Sequence, residues 1–201
     1  MNNNLKHHFK VGFTIAAITL VSLTIVFSVS SFTKEKINNS KRDAEIARFA
    51  KLLPQGSFNN NPMDECFMAS IFTKNPTPIY LAKMDDKVSG YVITYDINGG
   101  YGTPFIMIAG VDSNFNINYA DIVEFNETPG LGDKVLRNQS NFLDSLSGKG
   151  LKNARFDVKK YDGDFDYFTG ATVTPRAIVR STKDMLLKLE TLDISKLERC
   201  K

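Results

Sequence analysis

The sequence predicts an α+β fold: one N-terminal transmembrane helix followed by a single domain with a mostly antiparallel sheet and flanking helices. Two observations support this prediction. Residues 11–33 contain no charged side chain, and after them β-branched and aromatic residues alternate through the middle of the chain while helical patterns occupy its ends. Strands that are grouped in the middle, rather than alternating with helices, are typical of an α+β domain and not of a doubly wound sheet.

The apolar stretch at 11–33 predicts a retained membrane anchor. A helix of this length extends about 35 Å, which is enough to cross the hydrocarbon core of a bilayer. The alternative is a cleaved signal peptide, whose apolar region is shorter, about 7–15 residues. Taken alone, the positive-inside rule would place the C-terminal domain in the cytoplasm, because more basic residues follow the span than precede it. They are Lys6 and Lys10 before it, and Lys34, Lys36, Lys41 and Arg42 after it.

Residues 34–54 predict a helical connector. Ile46, Phe49 and Leu53 share one face of this segment, and Pro54 ends it. Residues 55–78 are rich in Asn, Pro and Ser, and we expect a loop there.

Two hairpins are predicted in the middle of the chain. The first joins strands at 79–84 and 88–96 around Asp85, Asp86 and Lys87. The second joins strands at 105–112 and 115–125 around Ser113 and Asn114, with aromatic and β-branched residues throughout.

Three further elements complete the predicted domain. A helix is expected at 138–146, and a late strand at 154–160. The last helix is expected from Pro175 to about Leu189, because proline suits the first helical position and Thr174 before it suits the N-cap. Its buried stripe is expected at Ile178, Thr182, Met185 and Leu189.

Composition excludes several classes of function. A formal net charge of +3 with scattered lysines does not indicate a nucleic-acid partner. The only histidines are His7 and His8, in the N-terminal tail, so the domain lacks a histidine for a catalytic triad or a common zinc site. The only cysteines are Cys66 and Cys200, which we expect as two unpaired thiols, a disulfide in an oxidising compartment being the alternative. Redox chemistry would therefore need a bound cofactor.

Asp162, Asp164 and Asp166 alternate as at the start of a calcium-binding EF-hand loop. That loop needs glycine at its sixth position and glutamate at its twelfth, where this chain has Tyr167 and Val173. We therefore expect a solvated acidic turn and no metal site.

Two other loops carry stronger signals. In 126–135, NETPGLGDKV, Pro129 and Gly130 predict a β-turn, but a simple connection leaves the apolar Leu131 between two glycines unexplained. A plain loop and a ligand-binding loop both stay open here. In 168–175, FTGATVTP, a turn of small residues precedes a helix N-terminus. This pattern is typical of an anion-binding site, but it also fits an ordinary helix cap.

These loops also carry a family resemblance. DYFTGATVTPRAIV at 166–179, the GDF before it and ETPGLGDK at 127–134 resemble the G subunit of the Rnf (Rsx) electron-transport complex. The wider kinship is with the FMN-binding domain family that it shares with the C subunit of sodium-translocating NADH:quinone reductase. The family motif Asp-x-x-(Ser/Thr)-Gly-Ala-Thr is complete here, in Asp166, Thr169, Gly170, Ala171 and Thr172.

The resemblance implies FMN attached covalently, through a phosphoester to Thr172, by an ApbE-type flavin transferase. Thr169 would then belong to the motif, and Thr174 would cap the helix beside the phosphate. We expect Leu131 to cover the flavin ring, and Glu127 and Thr128 to hydrogen-bond its polar edge. The resemblance assigns no residue a catalytic or metal-binding role.

The implied function is the relay of single electrons within a membrane complex. That complex would couple electron transfer between ferredoxin and NAD to sodium or proton translocation. The chain would be one subunit of it and not a stand-alone enzyme. The partners would be the other membrane subunits. The implied organisation is a cytoplasmic tail at 1–10, the transmembrane helix at 11–33, the connector at 34–54 and a covalent-FMN-binding domain at 55–201. This domain would lie on the periplasmic or extracellular side of the cytoplasmic membrane.

Three alternatives stay open. The chain could be a membrane-anchored sensor or binding module with the same fold and no flavin. It could be the related subunit of sodium-translocating NADH:quinone reductase, or a stand-alone flavin reductase.

Overall fold

The computed structural model describes residues 2–54 and 56–200; within its first helix, it describes the side chains of residues 8, 10–30, 33, 34, 36 and 49–52. The chain divides into two compact units, Met1–Ala47 and Arg48–Lys201.

The first unit is formed by helix α1, Asn2–Leu52, up to Ala47. Within it, Lys10–Ser30 is long and apolar enough to cross a membrane. Hydroxyl groups along this stretch donate to backbone carbonyls one turn earlier, as Thr24 does to Leu20 at 2.7 Å and Ser28 to Thr24 at 2.8 Å. The hydroxyls therefore need no water, which suits a lipid environment.

The second unit contains a six-stranded sheet in which every paired neighbour is antiparallel. The order across the sheet is β5-β4-β3-β2-β1-β6. This confirms the predicted α+β fold with a mostly antiparallel sheet. The strands are β1 (Cys66–Ala69), β2 (Thr77–Met84), β3 (Lys87–Ile97), β4 (Phe105–Asp112), β5 (Ile117–Glu124) and β6 (Glu198–Arg199).

Both predicted hairpins are confirmed, β2 with β3 and β4 with β5. The first turn has Asp85 and Asp86 at φ of 49° and 64°, which is the pattern of a type I′ turn. The second turn is organised by Asp112, whose carboxylate accepts hydrogen bonds from the amides of Asn114 and Asn116, both at 2.8 Å.

The expectation of a loop throughout 55–78 is wrong, because this segment contributes the short strand β1. β1 pairs with β6 from the C-terminus, and the Cys200 amide donates to the Cys66 carbonyl at 3.0 Å. The two side chains form a disulfide across 134 residues, so the expectation of two unpaired thiols is also wrong. No local sequence pattern predicts a disulfide between two cysteines that are so far apart in the chain.

Two predicted elements at 138–146 and 154–160 do not form as expected. The first is only a 3-10 helix, Phe142–Leu146, whose buried residues pack under the sheet. The second is not a strand, because its backbone bonds to the turn that follows it: Lys159 N donates to Phe165 O at 2.7 Å. The alternating burial of Phe156 and Val158 imitates a strand there. The other 3-10 helices in the described chain are Pro62–Asp64, Asp133–Val135, Lys159–Tyr161 and Ile194–Lys196.

Helix α2, Val173–Glu190, covers one face of the sheet. Its predicted stripe is confirmed, since Ile178, Thr182, Met185 and Leu189 are all buried. The Thr182 hydroxyl and the Tyr95 phenol on β3 lie 2.9 Å apart. Burial raises the pKa of Tyr95 far above its ordinary value, although the hydrogen bond with Thr182 acts in the other direction. The phenol therefore stays neutral and serves as a packing and hydrogen-bonding group.

The opposite face of the sheet is covered by the end of α1. Phe49, Leu52 and Leu53 are buried there against Ala82, Val92 and Ile108. A Cβ atom at Gly110 would lie 2.0 Å from the Leu52 carbonyl oxygen, so only glycine allows the helix to approach so closely. This confirms the predicted apolar face for Phe49 and Leu53; the side chain of Ile46 lies outside the described residues.

Candidate functional site

Thr172 lies between a tight turn and the start of α2. In the turn, the Ala171 amide donates to the Phe168 carbonyl at 2.9 Å, and Gly170 has φ of +76°. A positive φ at the third residue is typical of a type II turn and favours glycine there. Thr172 itself is the N-cap residue, half-buried, and its hydroxyl makes no capping hydrogen bond.

The prediction that Thr174 caps the helix is wrong. α2 begins two residues earlier than expected, so Thr174 lies inside its first turn and Pro175 is the third helical residue. Thr174 is fully buried, and its hydroxyl donates to Oε2 of Glu127 at 2.8 Å. This hydroxyl therefore donates to a carboxylate from a distant loop, instead of accepting a hydrogen bond from a helix amide as an N-cap would.

Glu127 lies beyond the end of β5, with only 7% of its surface exposed. Besides Thr174, Oε2 accepts a hydrogen bond from the Tyr101 amide at 3.0 Å, and Oε1 accepts one from the Gly102 amide at 3.2 Å. Two connections meet at this carboxylate: residues 98–102, between β3 and β4, called here the 98–102 turn, and residues 126–132, after β5, called here the 126–132 loop. Glu127 joins both of them to the first turn of α2. Hydrogen bonds to an ionised acceptor are stronger than neutral ones, so this junction is well held.

The 126–132 loop contains the predicted β-turn. The Leu131 amide donates to the Thr128 carbonyl at 3.2 Å across Pro129 and Gly130, and Gly130 has φ of +81°. This is again the type II pattern. The Leu131 side chain is 38% exposed at the tip. Because this apolar side chain is exposed, it can pack against a bound ligand.

A cavity of about 380 Å³ opens beside Thr172. Its volume falls in the range typical of small-molecule sites. Asn98 and Gly99 line it from the 98–102 turn, and Arg176 and Arg180 line it from α2. Arg176, Arg180 and the helix N-terminus contribute positive charge to this cavity, and Asp184 contributes a negative one. A phosphate group would therefore fit beside the guanidinium groups and the helix N-terminus.

Arg176 is held in place by two neighbours. Its guanidinium donates to both oxygens of Asp157, at 2.9 and 3.0 Å, and lies 3.7 Å from the centre of the Tyr161 ring. Desolvation acts to raise the pKa of Asp157, but the hydrogen bonds from Arg176 and Val158 with the charges of Arg176 and Arg180 outweigh it, so this pKa is lowered. Because Asp157 already balances Arg176, Arg180 is the more available charge for a ligand.

Asp157, Tyr161 and Arg180 are site residues that the sequence does not predict. Asp157 lies 19 residues before Arg176 in an irregular segment, so no periodic pattern places the two side chains together. Arg176 in the TVTPRAIV segment is the only signal available, and a lone arginine on a helix does not identify its partner.

The structure brings only some of the predicted site residues together. Thr172 lines the cavity, and Thr174 and Glu127 bond to each other behind it. Ala171 is buried, whereas Thr169, Gly170 and Asp166 are exposed, and Asp166 pairs with Lys159 at 2.6 Å. Glu127, Thr128 and Leu131 are not among the residues lining the cavity.

The acidic turn is used in ion pairs. Asp164 accepts hydrogen bonds from the Arg155 amide at 2.8 Å and from its guanidinium at 2.9 Å. These bonds, together with the charges of Arg155 and Lys149, lower the pKa of Asp164. Nowhere in the described ranges do three or more Asp, Glu, His or Cys residues gather as a metal site would require.

The chain is similar to known proteins along most of its length. Residues 100–187 match the FMN-binding domain family. The G subunit of the ion-translocating oxidoreductase complex of Salmonella typhi is 35% identical over 193 residues, covering 94% of each chain. Its counterpart in Escherichia coli K12 is 34% identical over 203 residues, covering 98% of each chain. That of Pseudomonas aeruginosa PAO1 is 32% identical over 179 residues, covering 86% of this chain and 84% of the relative. The chain therefore belongs to the family of G subunits of ion-translocating oxidoreductase complexes, with an FMN-binding domain in its C-terminal half.

Proposed function

We propose that this chain is a membrane-anchored covalent flavoprotein that relays electrons within an Rnf-type complex coupling ferredoxin/NAD electron transfer to ion translocation. Its relatives are named as subunits of an ion-translocating oxidoreductase complex, which supports the other subunits of such a complex as its partners. The match to the FMN-binding domain family supports FMN as the cofactor. The flavin supplies the electron-carrying chemistry, and the residues of this chain bind and orient it.

The observation that carries this proposal is the state of the Thr172 hydroxyl. Thr172 opens onto the cavity, and within the described part of the chain its hydroxyl makes no hydrogen bond. The Thr174 hydroxyl is already bound to Glu127, and Thr169 does not line the cavity. Of the three threonines, only Thr172 combines an uncommitted hydroxyl with space for a ligand.

The surroundings of Thr172 fit a phosphoester. In attachment by an ApbE-type transferase, Oγ1 of Thr172 would give up its proton and form a P–O bond to the flavin-bearing phosphorus of a flavin dinucleotide. The pyrophosphate P–O bond would break, and the nucleoside monophosphate would leave and take up the proton. The resulting diester keeps one negative charge. The free amides at the start of α2 and the nearby Arg180 can stabilise that charge. Leu131, exposed at its turn tip, and Thr128 are proposed to contact the flavin ring.

Membrane anchoring is supported by the first unit. Large apolar side chains along Lys10–Ser30 are exposed, Phe13 by 73% and Phe27 by 75%, as lipid-facing residues of a single span would be. We propose a tail at 1–10, the span at 11–33, a connector at 34–54 and the covalent-FMN-binding domain at 55–201.

The disulfide supports placing the domain outside the cytoplasm. Structural disulfides persist in oxidising compartments and are rare in the cytosol. The Cys66–Cys200 bond therefore favours the periplasmic or extracellular side, against the direction of the charge count around the span. The charge count is the weaker signal, because basic residues lie on both sides of the span and their excess after it is small.

The intact mass of the full chain tests the flavin directly. The chain is produced with and without the transferase and purified in detergent. We expect a mass increase equal to FMN minus one water, only when the transferase is present. An unmodified mass in both samples would contradict the covalent flavoprotein and leave a binding module without flavin.

A further inference from the structure

The side chain of Glu127 is enclosed by glycines. A Cβ atom at Gly100 would lie 1.9 Å from Oε1 of Glu127, and one at Gly132 would lie 2.5 Å from its Cβ. A Cβ atom at Gly102 would lie 2.3 Å from the carbonyl oxygen of Asn126. None of these distances is possible for a real side chain. Gly100 and Gly132 therefore make room for Glu127, and Gly102 makes room for the Asn126 carbonyl.

The carboxylate also connects the two walls of the cavity. On one side it binds the amides of Tyr101 and Gly102, in the turn whose first residues, Asn98 and Gly99, line the cavity. On the other side it binds the Thr174 hydroxyl, two residues beyond Thr172. The bonds to this buried group thus connect the two walls, and the hydrogen bond from the Asn98 amide to the Ser181 hydroxyl, at 3.1 Å, connects them a second time.

We propose that Glu127 is a positioning residue that holds Thr172 and the 98–102 turn in the geometry required for flavin attachment. This inference rests on the proposed function. In this inference Glu127 bonds to the protein groups that shape the site, whereas the sequence-based expectation is a hydrogen bond between Glu127 and the polar edge of the flavin. Both oxygens of Glu127 already accept bonds from the protein, and a misplaced reacting group loses much of its rate even when its chemistry is intact.

The decisive variant is Glu127→Gln, which keeps the size of the side chain but turns one acceptor oxygen into a donor. That NH2 group must then face a backbone amide or disrupt the junction. The matched control is Glu124→Gln, which changes an exposed carboxylate at the end of β5. Full-length chains are produced with the transferase, and two quantities are measured: the initial rate of covalent flavin attachment and the midpoint potential of the attached flavin.

We expect Glu127→Gln to slow attachment about tenfold or more, and to shift the potential of the flavin that does attach. Glu124→Gln should match the unmodified chain in both. If Glu127→Gln attaches flavin at the normal rate with an unchanged potential, the inference is overturned.

A second pair of variants keeps the test valid if Glu127→Gln does not fold. Thr174→Val removes one donor to the carboxylate and preserves the branched shape, whereas Thr174→Ser keeps the hydroxyl. We expect Thr174→Val to slow attachment and Thr174→Ser to restore it. Equal rates for the two variants would contradict the role of this bond.

Hydrogen exchange separates this inference from the proposed function. Without the transferase, the amides of Tyr101 and Gly102 should exchange faster in Glu127→Gln than in Glu124→Gln. If the unmodified chain never acquires flavin but this difference is seen, the proposed function fails and the junction stands without a flavin role. If the unmodified chain acquires flavin and the exchange is unchanged, the positioning role fails.

Discussion

The hydroxyl of Thr174 donates to the carboxylate of Glu127, 47 residues earlier in the chain, across 2.8 Å in a buried setting. This bond joins the two segments that carry the family motifs, ETPGLG and TGATVTP. It also separates the roles of neighbouring threonines, because Thr174 is used by the fold while Thr172 faces the cavity.

Thr174→Val should destabilise the protein by about 1–3 kcal/mol, because it removes a donor to a buried charged acceptor. Thr174→Ser should cost less, since it loses a methyl group and keeps the bond. The measurement is thermal or denaturant unfolding of the full chain in detergent without flavin. Equal stability of the valine and serine variants would show that the bond contributes nothing.

Gly100→Ala should destabilise the protein by about 1–3 kcal/mol, because the added methyl group meets Oε1 of Glu127. The cost should fall when Glu127 is replaced by Ala, giving an interaction of at least about 0.5 kcal/mol in a double-mutant cycle. The control is Gly130→Ala, where a Cβ atom meets nothing within 4 Å and only the positive φ is strained. The changes in unfolding free energy of Gly130→Ala and Glu127→Ala should be additive in the double variant. If those of Gly100→Ala and Glu127→Ala are also additive, the contact between Gly100 and Glu127 is not the cause of the destabilisation.

Asp157→Asn should reduce stability at neutral pH, and the reduction should disappear in acid. Folding lowers the pKa of Asp157 below its ordinary value of 3.8. The ionised carboxylate therefore contributes stability that is fully present above that ordinary value and is lost as the pH falls through the folded-state pKa. Unfolding free energies of both chains from pH 7 to about pH 2 measure this, since the series must extend below the folded-state pKa. A difference of the same size at both ends would exclude the ion pair with Arg176 as its cause.

Cys66 and Cys200 should resist a thiol-reactive probe in protein taken directly from intact cells, and should react after reduction. Reduction should also lower the thermal stability by about 2–4 kcal/mol, since the disulfide closes a long loop. Labelling is read by mass spectrometry under denaturing conditions. Two thiols that label without reductant would remove the argument for an oxidising compartment.

Local chemistry explains which elements are predictable. The β2–β3 turn follows from two aspartates that tolerate positive φ, and the stripe of α2 follows from a spacing of three and four residues. The type II turn at Pro129 and Gly130 is equally local. Each of these sequence patterns lies in, or within a few residues of, the turn or helix that it predicts.

Two of the wrong predictions involve partners that are distant in the chain, and a third involves a neighbouring turn. Thr174 directly precedes Pro175, which is the ordinary pattern of a helix N-cap. Its hydroxyl instead donates a hydrogen bond to a carboxylate 47 residues away. Residues 154–160 alternate in burial as a strand would, yet their backbone partners lie in the turn that follows. Cys66 and Cys200 meet only because β6 returns to the edge of the sheet. The outcomes for Thr174 and for the two cysteines depend on tertiary contacts that no short window of sequence contains.

The central claim is that Thr172 carries covalent flavin, and in-gel fluorescence after denaturation tests it most directly, since only covalently attached flavin survives. The unmodified chain, Thr172→Ala, Thr174→Val and Thr169→Ala are each produced with the transferase. We expect fluorescence from the unmodified chain, none from Thr172→Ala, a reduced signal from Thr174→Val and an intermediate one from Thr169→Ala. Fluorescence that persists in Thr172→Ala but vanishes in Thr174→Val would contradict the account.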